Sequence, residues 1–283
     1  MGEWGHRMYR LLLVTDRQAV RDTFSGIPSW EALGFKVPRM MDSCESAMDC
    51  LSRHHADVIA VNLEEEERIR LFKALDAYPH LPIMMASENP EETLRNLKEA
   101  EQVLGILHLD YSNDPQDMET QMLLARHDFF RHFFAEGCTD EAMIRRKLRL
   151  MRSRMDPDRR CVVIQLEVEG IADYLESRWH YGVDRLEVAI RNIFGAQEHG
   201  VRMLLSMSND DTAYIVACPM LGTPSIEDEA LLKMTEEHTA SGISHVEDYL
   251  GLRIRKKDTV ILNSFLELPA ATRKMHAQDQ FSA

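Results

Sequence analysis

A chain of 283 residues can bury one large core or two ordinary ones, since single cores stop growing at roughly 250–300 residues. Its formal net charge of −14 excludes broad binding to a phosphate backbone by this polypeptide, which needs a basic footprint. No stretch approaches the roughly 20 apolar residues that cross a bilayer, and Met1–Met8 lacks the basic-then-apolar order of a signal peptide, so a cytoplasmic protein with no membrane partner is expected.

The first half alternates short apolar runs with helical patterns. Leu11–Val14, Phe35–Val37, Val58–Val61, Ile83–Ala86 and Ile106–Leu109 are strand-length, as expected of parallel strands covered on both faces. Ser43 predicts a capped helix carrying Ala47, Met48 and Leu51. Glu66–Ala77 predicts a helix with Ile69, Phe72 and Leu75 on one stripe, and Pro90 opens a third helix after Asn89. This alternation predicts a doubly wound α/β sheet with any site at the carboxyl ends of its strands. The five cysteines (Cys44, Cys50, Cys138, Cys161, Cys218) are odd in number and form no CxxC, as for reduced thiols, and no metal or other cofactor is expected.

The stretches Tyr9–Asp16, Ser29–Val37 with its Trp-Glu-x-Leu-Gly-Phe element, and Asp57–Asn62 together resemble the receiver domains of AraC-type response regulators. The resemblance covers about the first 110 residues and implies a flavodoxin-like (βα)5 fold over residues 1–113. It implies a phosphoacceptor pocket at Thr15, Asp16, Asn62, Ser87 and Leu109, but a degenerate one. Only Asp16 remains of the acidic pair, Asn62 replaces the Asp nucleophile, and the Lys position falls on Leu109 or its neighbour His108, followed by Asp110. An amide cannot serve as the carboxylate nucleophile, so a pseudo-receiver not phosphorylated on Asp is expected. The alternatives are a domain kept as a dimerisation scaffold, or phosphorylation at Glu64 or Glu65. A small molecule in the polar cleft near Asp16, Asn62 and Ser87 is a further hypothesis.

Ser112–Gln116 is turn-like, and Asp117–Glu136 predicts a connector helix over the span 114–138. Its band of Met118, Met122, Ala125, Phe129, Phe130, Phe133 and Phe134 fits packing on its own domain or pairing with a second copy in a homodimer. Thr139–Glu141 opens a helix to Met155. Beyond it, Cys161–Val168 reads as a strand with Gln165 and Glu167 outward, followed by one long helix, Asp173–Ala196. Strands Val201–Met207 and Thr212–Cys218, a helix Glu227–Leu250 closed by Gly251, and a strand Arg253–Leu262 complete a ferredoxin-like α+β order.

That order resembles the GGDEF-like linker domain of the same regulators, over residues 139–283. The corresponding hairpin is Ser208, Asn209, Asp210, Asp211 and Thr212, without the glycines that admit a nucleotide phosphate, and Gln165 and Glu167 stand at the metal positions. The resemblance implies a non-enzymatic regulatory region with two-component character, likened to transcription regulators, in which DNA is contacted only through a C-terminal helix-turn-helix domain absent from this sequence. A stand-alone signalling or dimerisation scaffold and a residual nucleotide-binding protein are the alternatives. The signal, a small molecule or a protein, is not named by any motif.

Overall fold

The computed structural model describes residues 8–107, 122, 126, 128–131, 133–134, 140–195, 197–207 and 211–282. The chain divides into two units, Met1–Arg126 with Arg145–Ser153, and His127–Ile144 with Arg154–Ala283. One unit holds a parallel sheet and the other an antiparallel sheet, so the protein is mixed α/β. No described helix is long and apolar enough to cross a membrane.

In the first unit β1 (Leu11–Thr15), β2 (Arg39–Met41), β3 (Val58–Asn62) and β4 (Ile83–Met85) form a parallel sheet of order β2-β1-β3-β4. β1 is buried throughout and β3 is buried up to Asn62, as continuous apolar runs require. Helices α1 (Gln18–Ser25), α2 (Cys44–Arg53), α3 (Glu65–Ala74) and α4 (Pro90–Leu107) link and follow the strands. Leu12, Val14, Ile59 and Val61 pack with Leu51, Leu71 and Leu75 in one apolar cluster. Ser43 and Ser46 close a capping box at the start of α2: each hydroxyl accepts from the other residue's backbone N–H.

Three expectations need correction in this unit. Phe35–Val37 is not a ladder strand: Phe35 makes one isolated parallel bridge to Tyr9, and β2 starts only after Pro38, which has no N–H to give. Leu75 of the expected stripe is buried, but Ile69 is 57% exposed and Leu71 fills the core in its place. The expected strand at Ile106–Leu109 is not formed at Ile106 and Leu107, which end α4. Buried Leu97, Ala100, Val103 and Leu104 continue a helical stripe to that point, and the helix follows it. Leu109 and the Ser112–Gln116 turn lie outside the described residues.

The Trp-Glu-x-Leu-Gly-Phe element is a folded turn. Glu31–Leu33 is a short 3-10 segment, and Gly34 at φ 77° reverses the chain in a conformation that glycine tolerates best. Tyr9 N–H donates to Gly34 O at 2.8 Å, and buried Phe35 packs against Tyr9 with ring centroids 6.0 Å apart. Arg145–Ser153, which includes the end of α5 (Glu141–Leu150), also belongs to this unit. Arg146 makes two bonds of 2.9 Å to Glu99.

The second unit contains β5 (Cys161–Val168), α6 (Ile171–Ser177), α7 (Val183–Phe194), β6 (Gln197–Glu198), β7 (Val201–Met207), β8 (Thr212–Pro219), α8 (Asp228–Leu250), β9 (Ile254–Leu262) and α9 (Leu268–Ser282). The sheet order is β6-β7-β8-β5-β9, antiparallel throughout. Alternation sorts the strands' side chains: Val162, Ile164 and Leu166 join Leu186, Ile190 and Leu231 of the helices in the main core. The expected single helix Asp173–Ala196 is two helices. Gly182, at φ 85°, breaks it, and Trp179 Nε1–H donates to Gly182 O at 3.0 Å across the break.

Gln165 was expected to face solvent but is 2% exposed. The sheet's second face is covered too. Phe134 stacks on Tyr214 of β8 with centroids 5.5 Å apart and planes 6° from parallel, and Phe133 stacks on Phe265 at 5.5 Å. Phe130, Phe133 and Phe134 are each 2% exposed. Among the described residues this segment packs on its own unit. Most of the expected connector, 114–138, lies outside them.

Candidate functional site

The carboxyl ends of β1, β3 and β4 bring Thr15, Asp16, Asn62 and Ser87 to one edge of the parallel sheet. Register sets this placement: Thr15 pairs with Asn62 at the last rung between β1 and β3, and Ala86 N–H donates to Val61 O at 2.9 Å. Leu109, the fifth member expected there, lies outside the described residues.

Thr15, Asn62 and Ser87 at this edge already have partners. Thr15 is buried, its hydroxyl accepts from Arg17 N–H at 3.1 Å, and its carbonyl accepts from the Arg21 guanidinium at 3.0 and 3.3 Å. The Asn62 amide donates from Nδ2 to Ala86 O at 2.9 Å, tying the end of β3 to the loop after β4. Ser87 donates its hydroxyl proton to Glu92 Oε2 at 2.6 Å and accepts from Asn89 N–H at 3.1 Å. The serine proton that could reach an incoming phosphoryl oxygen therefore points into the first turn of α4. Asp16 is exposed.

Arg17 was not foreseen as a site residue. Its guanidinium donates to Glu64 Oε1 at 2.7 Å and lies 3.7 Å from Glu88 Oε1, so one cation joins the loops after β1, β3 and β4. Glu64, with Glu88 in support, raises the Arg17 pKa above its ordinary value. The pair is solvent-exposed and worth little stability. Its consequence is electrostatic: a fixed positive group stands among the acidic side chains of this edge. The only hint in the sequence is a basic residue directly after the strand, with acidic residues in the corresponding turns.

In the second unit, Ser208, Asn209 and Asp210 lie outside the described residues, while Asp211 directly precedes β8 and Thr212 begins it. Thr212 Oγ1 donates to Asp211 Oδ1 at 3.0 Å, and Asp211 O accepts from Val168 N–H at 2.7 Å, so Asp211 ties the start of β8 to the end of β5. Thr212 pairs with Glu167. The Glu167 carboxylate accepts from Arg255 Nε at 3.0 Å and sits 3.3 Å from Lys257 Nζ. The Arg255 hydrogen bond, with Lys257, holds the Glu167 carboxyl below its ordinary range. A position that resemblance assigns to metal binding is here occupied by protein cations. At the base of the hairpin, buried Glu187 pairs with Arg131 and accepts from Met207 N–H at 3.0 Å.

Cys161 and Cys218 are buried thiols. Burial pushes the Cys161 thiol up to about 12 and raises the Cys218 thiol well above its ordinary value, leaving both protonated and inert. Among the described residues no group of three or more His, Cys, Asp or Glu side chains is placed to hold a metal ion. No family model and no curated relative matches the chain.

Proposed function

We propose that this chain is the non-enzymatic regulatory region of a bacterial two-component-type transcriptional regulator. On this reading the first unit is a flavodoxin-like pseudo-receiver and the second a degenerate, ferredoxin-like GGDEF-type domain, while DNA contact belongs to a separate helix-turn-helix domain. The observation that carries the proposal is the state of Asn62: an amide at the phosphoacceptor position, engaged with Ala86 O. It cannot attack phosphorus and it holds the sheet edge closed.

Two features of topology support the domain assignments. The parallel order β2-β1-β3-β4 matches the first four positions of the flavodoxin-like order. In the second unit β8 lies between β7 and β5, with β9 beyond β5, and helices intervene between β5 and β7 and between β8 and β9, as in a split βαβ pair. The cations around Glu167 weigh against the nucleotide-binding alternative. Incubation with Mg²⁺ and acetyl phosphate is expected to leave the intact mass of the protein unchanged. A stable adduct of one phosphoryl group would overturn the pseudo-receiver reading.

A further inference from the structure

A cavity of about 310 Å³ opens at the amino edge of the parallel sheet, the edge opposite Asn62. Its origin lies in the strand register. Tyr9 bridges Phe35, and Leu12 pairs with Arg39. Between those rungs one segment contributes Arg10 and Leu11, the first residue of β1, whereas the opposing segment contributes Lys36, Val37 and Pro38. The second segment therefore carries one extra residue, a bulge, and Pro38 cannot donate a ladder hydrogen bond across it. The two chains part there, and Leu51 and Cys50 of α2 line the opening beneath them.

The lining combines two chemistries. Leu12, Leu51, Cys50 and Val37 are apolar, and Val37 is 76% exposed, an aliphatic side chain left facing solvent at the rim. Arg10, Lys36 and Arg39 bring three permanent cations, and His54 and His55 add imidazoles from the end of α2. In a chain of net charge −14, Arg10, Lys36 and Arg39 make no ion pair among the described residues. The neighbouring carboxylate, Asp57, is 4% exposed and already accepts from Arg10 N–H at 2.7 Å, with His55 Nε2 2.9 Å from its other oxygen. Three uncompensated cations around one apolar hollow favour a dianion over a monoanion. The volume sits at the lower end of the ~300–1,000 Å³ typical of small-molecule sites, so a small ligand fits rather than a chain segment.

We propose that this cavity binds a small organic phosphate: a phosphomonoester group held by Arg10, Lys36 and Arg39, on a compact apolar body lying against Leu12, Leu51 and Val37. The proposal rests on the cavity and its charge and does not depend on the regulatory reading. The test is calorimetric titration of the full chain with phenyl phosphate at low salt. Saturable single-site binding is expected, with inorganic phosphate and phenol each weaker by about tenfold or more, because each carries only half of the recognised chemistry. The exposed pair Lys36→Gln and Arg39→Gln, combined in one variant with unchanged circular dichroism, is expected to weaken binding by about tenfold or more, equivalent to ~1.4 kcal/mol. Lys98→Gln, an exposed cation elsewhere on the unit, is expected to bind as the unaltered protein does. The proposal is overturned by absence of saturable binding up to about 10 mM, by inorganic phosphate binding as tightly as the ester, or by full affinity in the double variant.

Discussion

Gly242 shows how one missing methyl group shapes the second unit. A Cβ at this position would lie 2.3 Å from Cδ1 and 2.4 Å from Cε1 of Phe194, whose ring is 5% exposed at the end of α7. Two effects of Gly242→Ala oppose each other. Alanine in the interior of α8 gains about 0.8–1 kcal/mol of helix propensity. Overpacking a filled core costs ~1–3 kcal/mol. The ring belongs to the core cluster and has little room to retreat, so the clash is expected to win, with a net loss of up to about 2 kcal/mol. Urea denaturation checks this: the midpoint should fall while the slope stays constant. Pairing the change with Phe194→Leu should cost less than the two changes separately, since the smaller side chain removes the clash. A raised midpoint for Gly242→Ala would show that the ring moves aside freely and only the gain in helix propensity remains.

Among elements, Arg145–Ser153 has a clear energetic role. Arg152 is 8% exposed and donates to the carbonyls of Leu75 at 3.0 Å and of Tyr78 and Leu81 at 3.4 Å. These carbonyls lie where α3 runs out and the chain turns toward β4; Leu75 O and Tyr78 O each accept one backbone N–H there, at 2.9 and 3.1 Å, and the guanidinium supplies a second donor. Arg152→Ala removes a charged donor from buried acceptors, so it is expected to destabilise the first unit by about 2–3 kcal/mol, read by thermal or urea unfolding. A loss below about 0.5 kcal/mol would mean that water replaces the guanidinium at those oxygens. None of this was legible in the sequence, because Arg152 follows a run of basic residues that reads as a solvated helix face. Where a single element carries its own signal, the reading was close. Apolar alternation set the span of β5 and β7, Ser43 marked the start of α2, and Gly251 marked the end of α8. Errors arose where partners decide. The bulge at Lys36–Pro38 is a property of pairing, and Ile106–Leu107 read as a strand only in isolation from the helical stripe before it. At the candidate site the same division holds. Asn62 and Ser87 could be placed by their positions after apolar runs, but the Arg17 link needs three loops to meet.

At the scale of the whole molecule, the distribution of charge bears more on function than its total. The basic stretch Arg253–Lys257, four cations in five residues, is answered locally: Arg253 by Glu247, Arg255 by Glu167 and Glu169, Lys256 by Glu236, and Lys257 by Glu167. Exposed pairs such as these contribute little stability. They do, however, cancel the positive potential that a phosphate backbone would need, on a chain already at net −14. β9 is also an edge strand of its sheet, and its charged residues suit an edge that must resist pairing with another chain. Around the amino-edge cavity, by contrast, no carboxylate pairs with Arg10, Lys36 or Arg39 among the described residues. From this distribution the chain is expected not to bind duplex DNA at about 150 mM salt, with fluorescence anisotropy of a labelled duplex unchanged. Binding whose affinity falls steeply with salt would show that these ion pairs open to phosphate, and would move DNA contact from a separate domain onto this chain.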